Sequence, residues 1–228
     1  YHGEYLDDLL QLNGSLAGAR PKIRLSIPDE DGTLQPWIIK FRALEDQPDA
    51  GLVEYQHSLA ARLAGLDMPE TRLFPSKNGE GYFGIRRFDR RDGRKIHTHT
   101  ACGLLHASHR FPSLDYENLI RLTANLTQTR RDVERMVLLM IFNVKAGNRD
   151  DHSKNFSFCL DAEQRWNLSP AYDLTPCPGI NGEHCSMVNG KGRDITDADL
   201  IKAASVGGVC RQKVKDMIGQ VMEALRAV

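Results

Sequence analysis

Apolar and polar residues alternate over residues 22–27 (Lys-Ile-Arg-Leu-Ser-Ile), a two-residue period that predicts a strand. Residues 28–32 (Pro-Asp-Glu-Asp-Gly) carry turn chemistry, and β-branched and aromatic residues dominate 37–41, so a hairpin is expected. Over 53–66 the period changes. Tyr55, Leu59, Leu63 and Leu66 form one helical stripe, stopped by Gly65 and Pro69. Residues 81–89 predict another strand, running into the loop 90–93. Beyond about residue 95 the pattern turns mostly helical. Residues 116–126 place Leu119, Ile120, Leu122 and Leu126 on one face, and 133–144 are apolar nearly all round, as in a buried helix. A hairpin is expected from 155–160 and 165–168, followed by helices over 197–204 and from Val214 to Leu225. A β-rich front and a helical back imply an α+β protein of two lobes, with no internal repeat or low-complexity tract.

Composition narrows the class. The 228 residues are 41% hydrophobic and 26% charged, so a folded core is expected. Thirty basic and thirty acidic residues cancel, which leaves no charge footprint for nonspecific nucleic-acid or membrane binding. Cys102, Cys159, Cys177, Cys185 and Cys210 are odd in number and never spaced Cys-x2-Cys; they read as reduced thiols of a cytoplasmic protein. No apolar run reaches membrane-spanning length. The chain starts at Tyr1 without a methionine, which leaves two readings, a compact protein or a fragment of a longer one.

The candidate chemistry gathers in 148–157 (Asn-Arg-Asp-Asp-His-Ser-Lys-Asn-Phe-Ser). Asp150 precedes Asn155 by five positions with Lys154 between them, and Asp173 follows between apolar residues and prolines. Phosphoryl transfer needs such a set: a carboxylate to take or orient the acceptor's proton, and an amide with a second carboxylate to hold Mg²⁺. The bland alternatives are an Asn/Asp-rich turn and, for Asp173, a turn cap. Asp151 reads as a solvated neighbour and His152 as a structural hydrogen-bonding residue. Lys40, flanked by strand formers, wants an anion, and Glu54 on the next helix is positioned to aim it at phosphates; an edge-strand lysine and a first-turn glutamate are the alternatives. Gly14, Gly18 and Lys22 belong to a small, then basic segment that suits either a phosphate cradle or a plain turn. His97, His99, His106 and His109 lack an evident third metal ligand, and Cys177, His184 and Cys185 match no zinc spacing. Arg90, Arg91 and Arg94 read first as a solvated loop, second as a site for an acidic partner.

These pieces, in this order, resemble the HipA family of serine/threonine kinases, the toxins of a bacterial toxin–antitoxin system. The likeness is carried by 14–22 (Gly-Ser-Leu-Ala-Gly-Ala-Arg-Pro-Lys), Ile38-Ile-Lys40, Glu54-Tyr55, 87–90 (Arg-Phe-Asp-Arg), Asp-x-His-x-Lys-Asn-Phe-Ser over 150–157, and Tyr172-Asp173. The resemblance implies a kinase-like fold, with a nucleotide-binding lobe over 1–92 and a catalytic lobe over 93–228. It implies ATP and Mg²⁺ as cofactors and a protein hydroxyl as acceptor. Asp150 and Lys154 become the catalytic pair, and Asn155 and Asp173 the metal ligands. Ser15, Ala17, Gly18, Lys22, Lys40, Glu54, Arg86, Phe88 and His152 become the nucleotide-binding set. Ser15 stands where family members autophosphorylate, and a phosphoserine of roughly −2 charge cannot share a pocket with ATP phosphates. Arg86 departs from the acidic residue that some relatives carry, which leaves base recognition to the backbone of 85–88. The resemblance further implies an aminoacyl-tRNA synthetase as target and a helix-turn-helix, HipB-like antitoxin as partner, with DNA reached only through that antitoxin. A small separate subunit would supply the subdomain that full-sized members carry ahead of the Gly-rich loop. The rival readings are a small-molecule kinase and an inactive nucleotide-binding scaffold.

Overall fold

The computed structural model describes residues 6, 20–43, 46–77, 79–91, 93–106 and 114–228. The expected hairpin forms from β1 (Lys22–Pro28) and β2 (Leu34–Lys40), antiparallel, with Lys22 opposite Lys40. At its tip the Asp29 carboxylate accepts from the backbone N–H groups of Asp31 and Thr33, and Gly32 supplies the left-handed φ of +78°. β3 (Thr71–Phe74), which no alternation announced, and β4 (Tyr82–Arg86) complete an antiparallel sheet of order β1-β2-β4-β3. β2 is therefore an interior strand, and the edge-strand reading of Lys40 does not hold.

The helix expected over 53–66 is α1 (Ala50–Leu63), but it does not bury the large apolar stripe. Leu63 is 59% exposed, whereas Glu54, Ser58, Ala60 and Ala61 are buried. The reason is close approach. α1 is pressed onto β3, β4 and the C-terminal helix, and a Cβ on Gly51 would lie 2.2 Å from the carbonyl oxygen of Gly81. Only small side chains fit such a face, and the one large polar group on it, Glu54, comes to rest against Lys40.

The sheet covers a small core of Leu6, Ile27, Trp37, Ile39, Phe41, Phe74 and Tyr82. A larger core follows, to which Ala60, Ala61, Ala64 and Leu66 also belong. Its centre is α4 (Arg130–Ala146), buried continuously from Met136 to Asn143, as an all-round apolar pattern requires. Around it lie α2 (Ala101–Leu104), α3 (Tyr116–Thr127), α5 (Asp197–Ser205) and α6 (Arg211–Arg226). Between the cores run the short strands β5 (Arg90–Arg91) and β6 (Arg94–Lys95). A three-stranded sheet follows, with β7 (Thr98–Thr100) pairing with β8 (Ser157–Leu160), which pairs with β9 (Trp166–Leu168). The expected hairpin over 155–168 starts two residues late because Ser153–Asn155 forms a 3-10 turn. Arg90 is not simply solvated: like Arg87, it donates to the Asp89 carboxylate. The five cysteines are free thiols. Among the described residues no helix is long and apolar enough to cross a membrane.

Candidate active site

The end of β2 delivers Lys40, one turn of α1 delivers Glu54, and the loop after β9 delivers Asp173. Lys40 Nζ donates to Glu54 Oε1 at 2.5 Å and also to Asp173 Oδ1, joining residues 133 positions apart. Arg20 adds a second cation to Glu54 at 3.5 Å and pairs with Asp46 at 2.8 Å. Burial alone would lower the Lys40 pKa, but Glu54 and Asp173 outweigh it and hold the pKa above its usual value. For Asp173, burial pushes the carboxyl up, and the charge and hydrogen bond of Lys40, with Lys22 and His152 behind them, bring it below the ordinary range. Asp173 stays ionised. Its backbone has φ +60°, a left-handed conformation that Asp tolerates better than most residues.

α4 ends at Gly147 (φ +70°), which turns the chain into the loop that bears Asp150. Asn148 pins that loop, donating to Asn143 Oδ1 at 2.9 Å and to the carbonyl of Asp173 at 3.2 Å. Asn155 donates its amide N–H to the carbonyl of Asp150 at 2.9 Å, which leaves its carbonyl oxygen as an acceptor for a cation. Burial raises the Asp150 pKa; His152 opposes this, while the nearby charges of Asp173 and Asp151 add to it. His152 has a buried Nδ1 with no partner among the described residues. Lys154 is exposed on the 3-10 turn, and its carbonyl accepts from Tyr172, whose ring lies 5.5 Å from that of Phe88. Burial moves the Tyr172 hydroxyl up to about 12, so it acts as a neutral donor.

Asp151 corrects the expectation of a solvated neighbour. It is fully buried and accepts from Tyr116 Oη at 2.7 Å, His184 Nδ1 at 2.9 Å and the Ser186 N–H at 3.2 Å. Polar neighbours far along the chain made the burial possible, and no local pattern reveals them. Nothing along the chain marks Tyr116, Asn143 and Ser186 as parts of this network; Tyr116 is legible only as the start of a helix, and His184 is legible only as a structural histidine. Cys185 places Sγ 4.0 Å from Asp150 Oδ1, and burial followed by the Asp150 charge moves its thiol up to about 11.

Ser15, Ala17 and Gly18 lie outside the described residues, as do Gly14 and His109. Lys22 is exposed at the start of β1. Arg86 turns its guanidinium to Gln35 at 2.5 Å and towards Glu70 at 4.0 Å, away from Lys40. There it lines a cavity of about 1060 Å³ behind residues 86–88, together with Arg91, Arg131, Arg135 and Asp132. That cavity includes none of Lys40, Asp150, Asn155 and Asp173. No group of three or more His, Cys, Asp or Glu side chains among the described residues is placed to hold a metal. Mg²⁺ asks for less: one or two carboxylates, with phosphate oxygens and waters completing the shell. An ionised Asp173 and the amide oxygen of Asn155 fit that demand.

A small antiparallel sheet with its own core and a larger helical core, meeting where a strand lysine touches a helix glutamate and a loop aspartate, form the two-lobe arrangement of protein-kinase-like folds. The comparisons agree. The chain matches the HipA-like C-terminal domain model over residues 14–228, and it belongs to that family. It is 29% identical over 224 residues to "Putative kinase Y4dM" of Sinorhizobium fredii (strain NBRC 101917 / NGR234), covering 90% of this chain and 54% of that protein. It is also 29% identical over 249 residues to "Putative kinase Y4mE" of the same organism, covering 94% and 56%. The chain thus spans about half the length of these curated relatives. Among solved structures, HipA of Shewanella oneidensis MR-1, determined with HipB and operator DNA, superposes with a TM-score of 0.77 at 17% identity, over 98% of this chain and 64% of that one. The Helicobacter pylori proinflammatory kinase CtkA superposes at 0.57 with 14% identity, over 90% and 87%. At such identities the likeness establishes the shared fold.

Proposed function

We propose that this chain carries the catalytic machinery of an ATP-dependent serine/threonine protein kinase, with residues 1–92 as the nucleotide lobe and 93–228 as the catalytic lobe. The observation that carries the reading is the convergence of one strand lysine on two distant carboxylates, Lys40 Nζ donating to Glu54 and to Asp173, with Asn148 tying the Asp150 loop to the Asp173 carbonyl. The opposite displacements of Asp150 (upward) and Asp173 (downward) accord with a proton acceptor beside a charged ligand. Mg²⁺–ATP, when bound, supplies the transferable phosphoryl group and neutralises its charge. Lys40, held by Glu54, binds phosphate oxygens; Lys22 and His152 add donors from either side; Asp173 and Asn155 hold the cation. Backbone around Arg86 and Phe88 receives the base. Asp150 takes the proton from the acceptor hydroxyl, and Lys154 offers a cation beside the group in transfer.

By family membership, we extend the reading to an aminoacyl-tRNA synthetase as acceptor, to self-inactivation by phosphorylation of Ser15, and to a cytoplasmic site of action. The solved HipA relative, crystallised with HipB and operator DNA, supports a HipB-like antitoxin partner that links the chain to DNA, and a small separate subunit remains a second candidate partner. The test is incubation of the wild-type protein and Asp150→Asn with Mg²⁺ and γ-labelled ATP. Label on protein from the wild type and none from the variant is expected. Equal labelling by both refutes the base assignment, and phosphate found by mass spectrometry on residues other than Ser15 refutes the proposed switch.

A further inference from the structure

We infer that Asp151 is a positioning residue for phosphoryl transfer, a clamp that fixes residues 184–186 against the catalytic loop and so sets the wall of the acceptor site beside Asp150. The inference rests on the kinase reading for its consequence and on geometry alone for the clamp. All three oxygens of Asp151 are engaged. Oδ2 accepts from Tyr116 at 2.7 Å and from His184 at 2.9 Å, and Oδ1 accepts from the Ser186 N–H at 3.2 Å. The Asp151 carbonyl accepts from Ser186 Oγ at 2.6 Å. Ser186 is thus tied to Asp151 by two bonds and His184 by one, and Cys185 between them is held by its N–H on the carbonyl of Arg149 at 3.0 Å. The clamp holds the Cys185 thiol 4.0 Å from Asp150 Oδ1, on the approach an incoming hydroxyl would use.

The same network reaches the nucleotide side. Asn143 donates to Tyr116 Oη at 2.9 Å, Asn148 donates to Asn143, and Asn148 also donates to the carbonyl of Asp173. One unbroken series of hydrogen bonds therefore runs from the acceptor wall through Asp151 to the backbone of Asp173. Apolar packing holds a loop without the desolvation cost of a buried carboxylate, so stability alone gives no reason for an ionisable group here. A directional acceptor does what apolar packing cannot: it fixes the distance between residues 184–186 and Asp150.

The test uses Asp151→Asn, His184→Gln and Ser186→Ala with two readouts. The first is the alkylation rate of Cys185 by N-ethylmaleimide, followed by peptide mass spectrometry with exposed Cys210 as internal reference. Loss of one hydrogen bond to a charged group predicts Cys185 reacting about tenfold faster or more in each variant, with Cys210 unchanged. The second is transfer of label from ATP to myelin basic protein as a generic acceptor. A displaced acceptor wall predicts a fall in kcat of about 100-fold with the KM for ATP unchanged. Circular dichroism and thermal melting check the folded fraction, and His184→Gln and Ser186→Ala keep the test valid if Asp151→Asn does not fold. Unchanged Cys185 reactivity in the folded variants overturns the clamp. Faster alkylation with undiminished transfer, or losses that track only the melting temperature, overturn the positioning role. If the wild type transfers no label at all, the kinase reading fails while the alkylation arm still decides the clamp.

Discussion

Lys40 and Asp151 are each the hub of a polar cluster, and the clusters differ in what surrounds them. The Lys40 side chain keeps 16% of its surface exposed and its partner Asp173 keeps 46%, so water and ligands reach this pair. Asp151 is sealed, with His184 at 5%. The first cluster is made of opposite charges, which on the proposed reading exchange partners when phosphate and a cation arrive. The second is a fixed hydrogen-bonded frame whose members have no open face. The contrast teaches how, under the proposed function, one fold would divide its labour: exposed charge for the ligand, buried polarity for geometry. Asp150 sits between the two: burial is the main cause of its raised pKa, His152 opposes it, and Asp173 and Asp151, one from each cluster, add to it.

The sharpest way to break this division is Asp150→Asn, which removes the shared member. Label transfer should fall by about 10³-fold or more while binding of Mg²⁺–ATP, read by calorimetry, stays as it was. Loss of nucleotide affinity in that variant would make Asp150 part of the ligand cluster only. Next comes Glu54→Ala, which leaves Lys40 with Asp173 alone. Urea titration should show a loss of about 3 kcal/mol, and added Mg²⁺–ATP should recover part of it because the ligand offers Lys40 a new anion. Tyr116→Phe addresses the sealed frame. It should cost about 1–3 kcal/mol, with no recovery on adding ATP. Recovery in both variants would erase the distinction.

Protonation gives the smallest and most specific effect. Asp150 must be ionised to accept a proton, and its folded pKa is raised, so the acid limb of the rate should lie above the value of about 3.9 of a free aspartate. The stability signs are opposite for the two carboxylates. Asp173, with a lowered folded pKa, contributes stability above its unfolded pKa and loses it as pH falls through the folded value. Asp150, with a raised folded pKa, lowers stability once pH exceeds its unfolded pKa. Asp150→Asn should therefore melt higher than wild type at neutral pH, and that gain should vanish in acid.

Much of this was legible along the chain. Alternation over 22–27 gave the hairpin, the apolar run over 133–144 gave the buried helix, and Asp150, Asn155, Asp173 and Lys40 stood out by residue type and spacing. What stayed hidden was set by contacts between distant segments. Leu63 outweighs Ala61 in any hydrophobic pattern, yet the closeness of α1 to β4 reserves the buried face for Ser58 and Ala61. Asp151 looks like its neighbour Asp150 in sequence, and distant partners make it interior: Tyr116, 35 positions before it, and His184 and Ser186, 33 and 35 positions after it. β7 is three residues long and exists because β8 pairs with it.

The central claim, that Lys40, Asp150, Asn155 and Asp173 compose one Mg²⁺–nucleotide site, is tested most directly by calorimetric titration with ATP, with and without Mg²⁺, on the wild type and on Asp173→Asn. The account predicts that the wild type binds ATP much more tightly when Mg²⁺ is present, and that Asp173→Asn loses that increment. An affinity indifferent to Mg²⁺ in the wild type, or an increment that survives in Asp173→Asn, would contradict it.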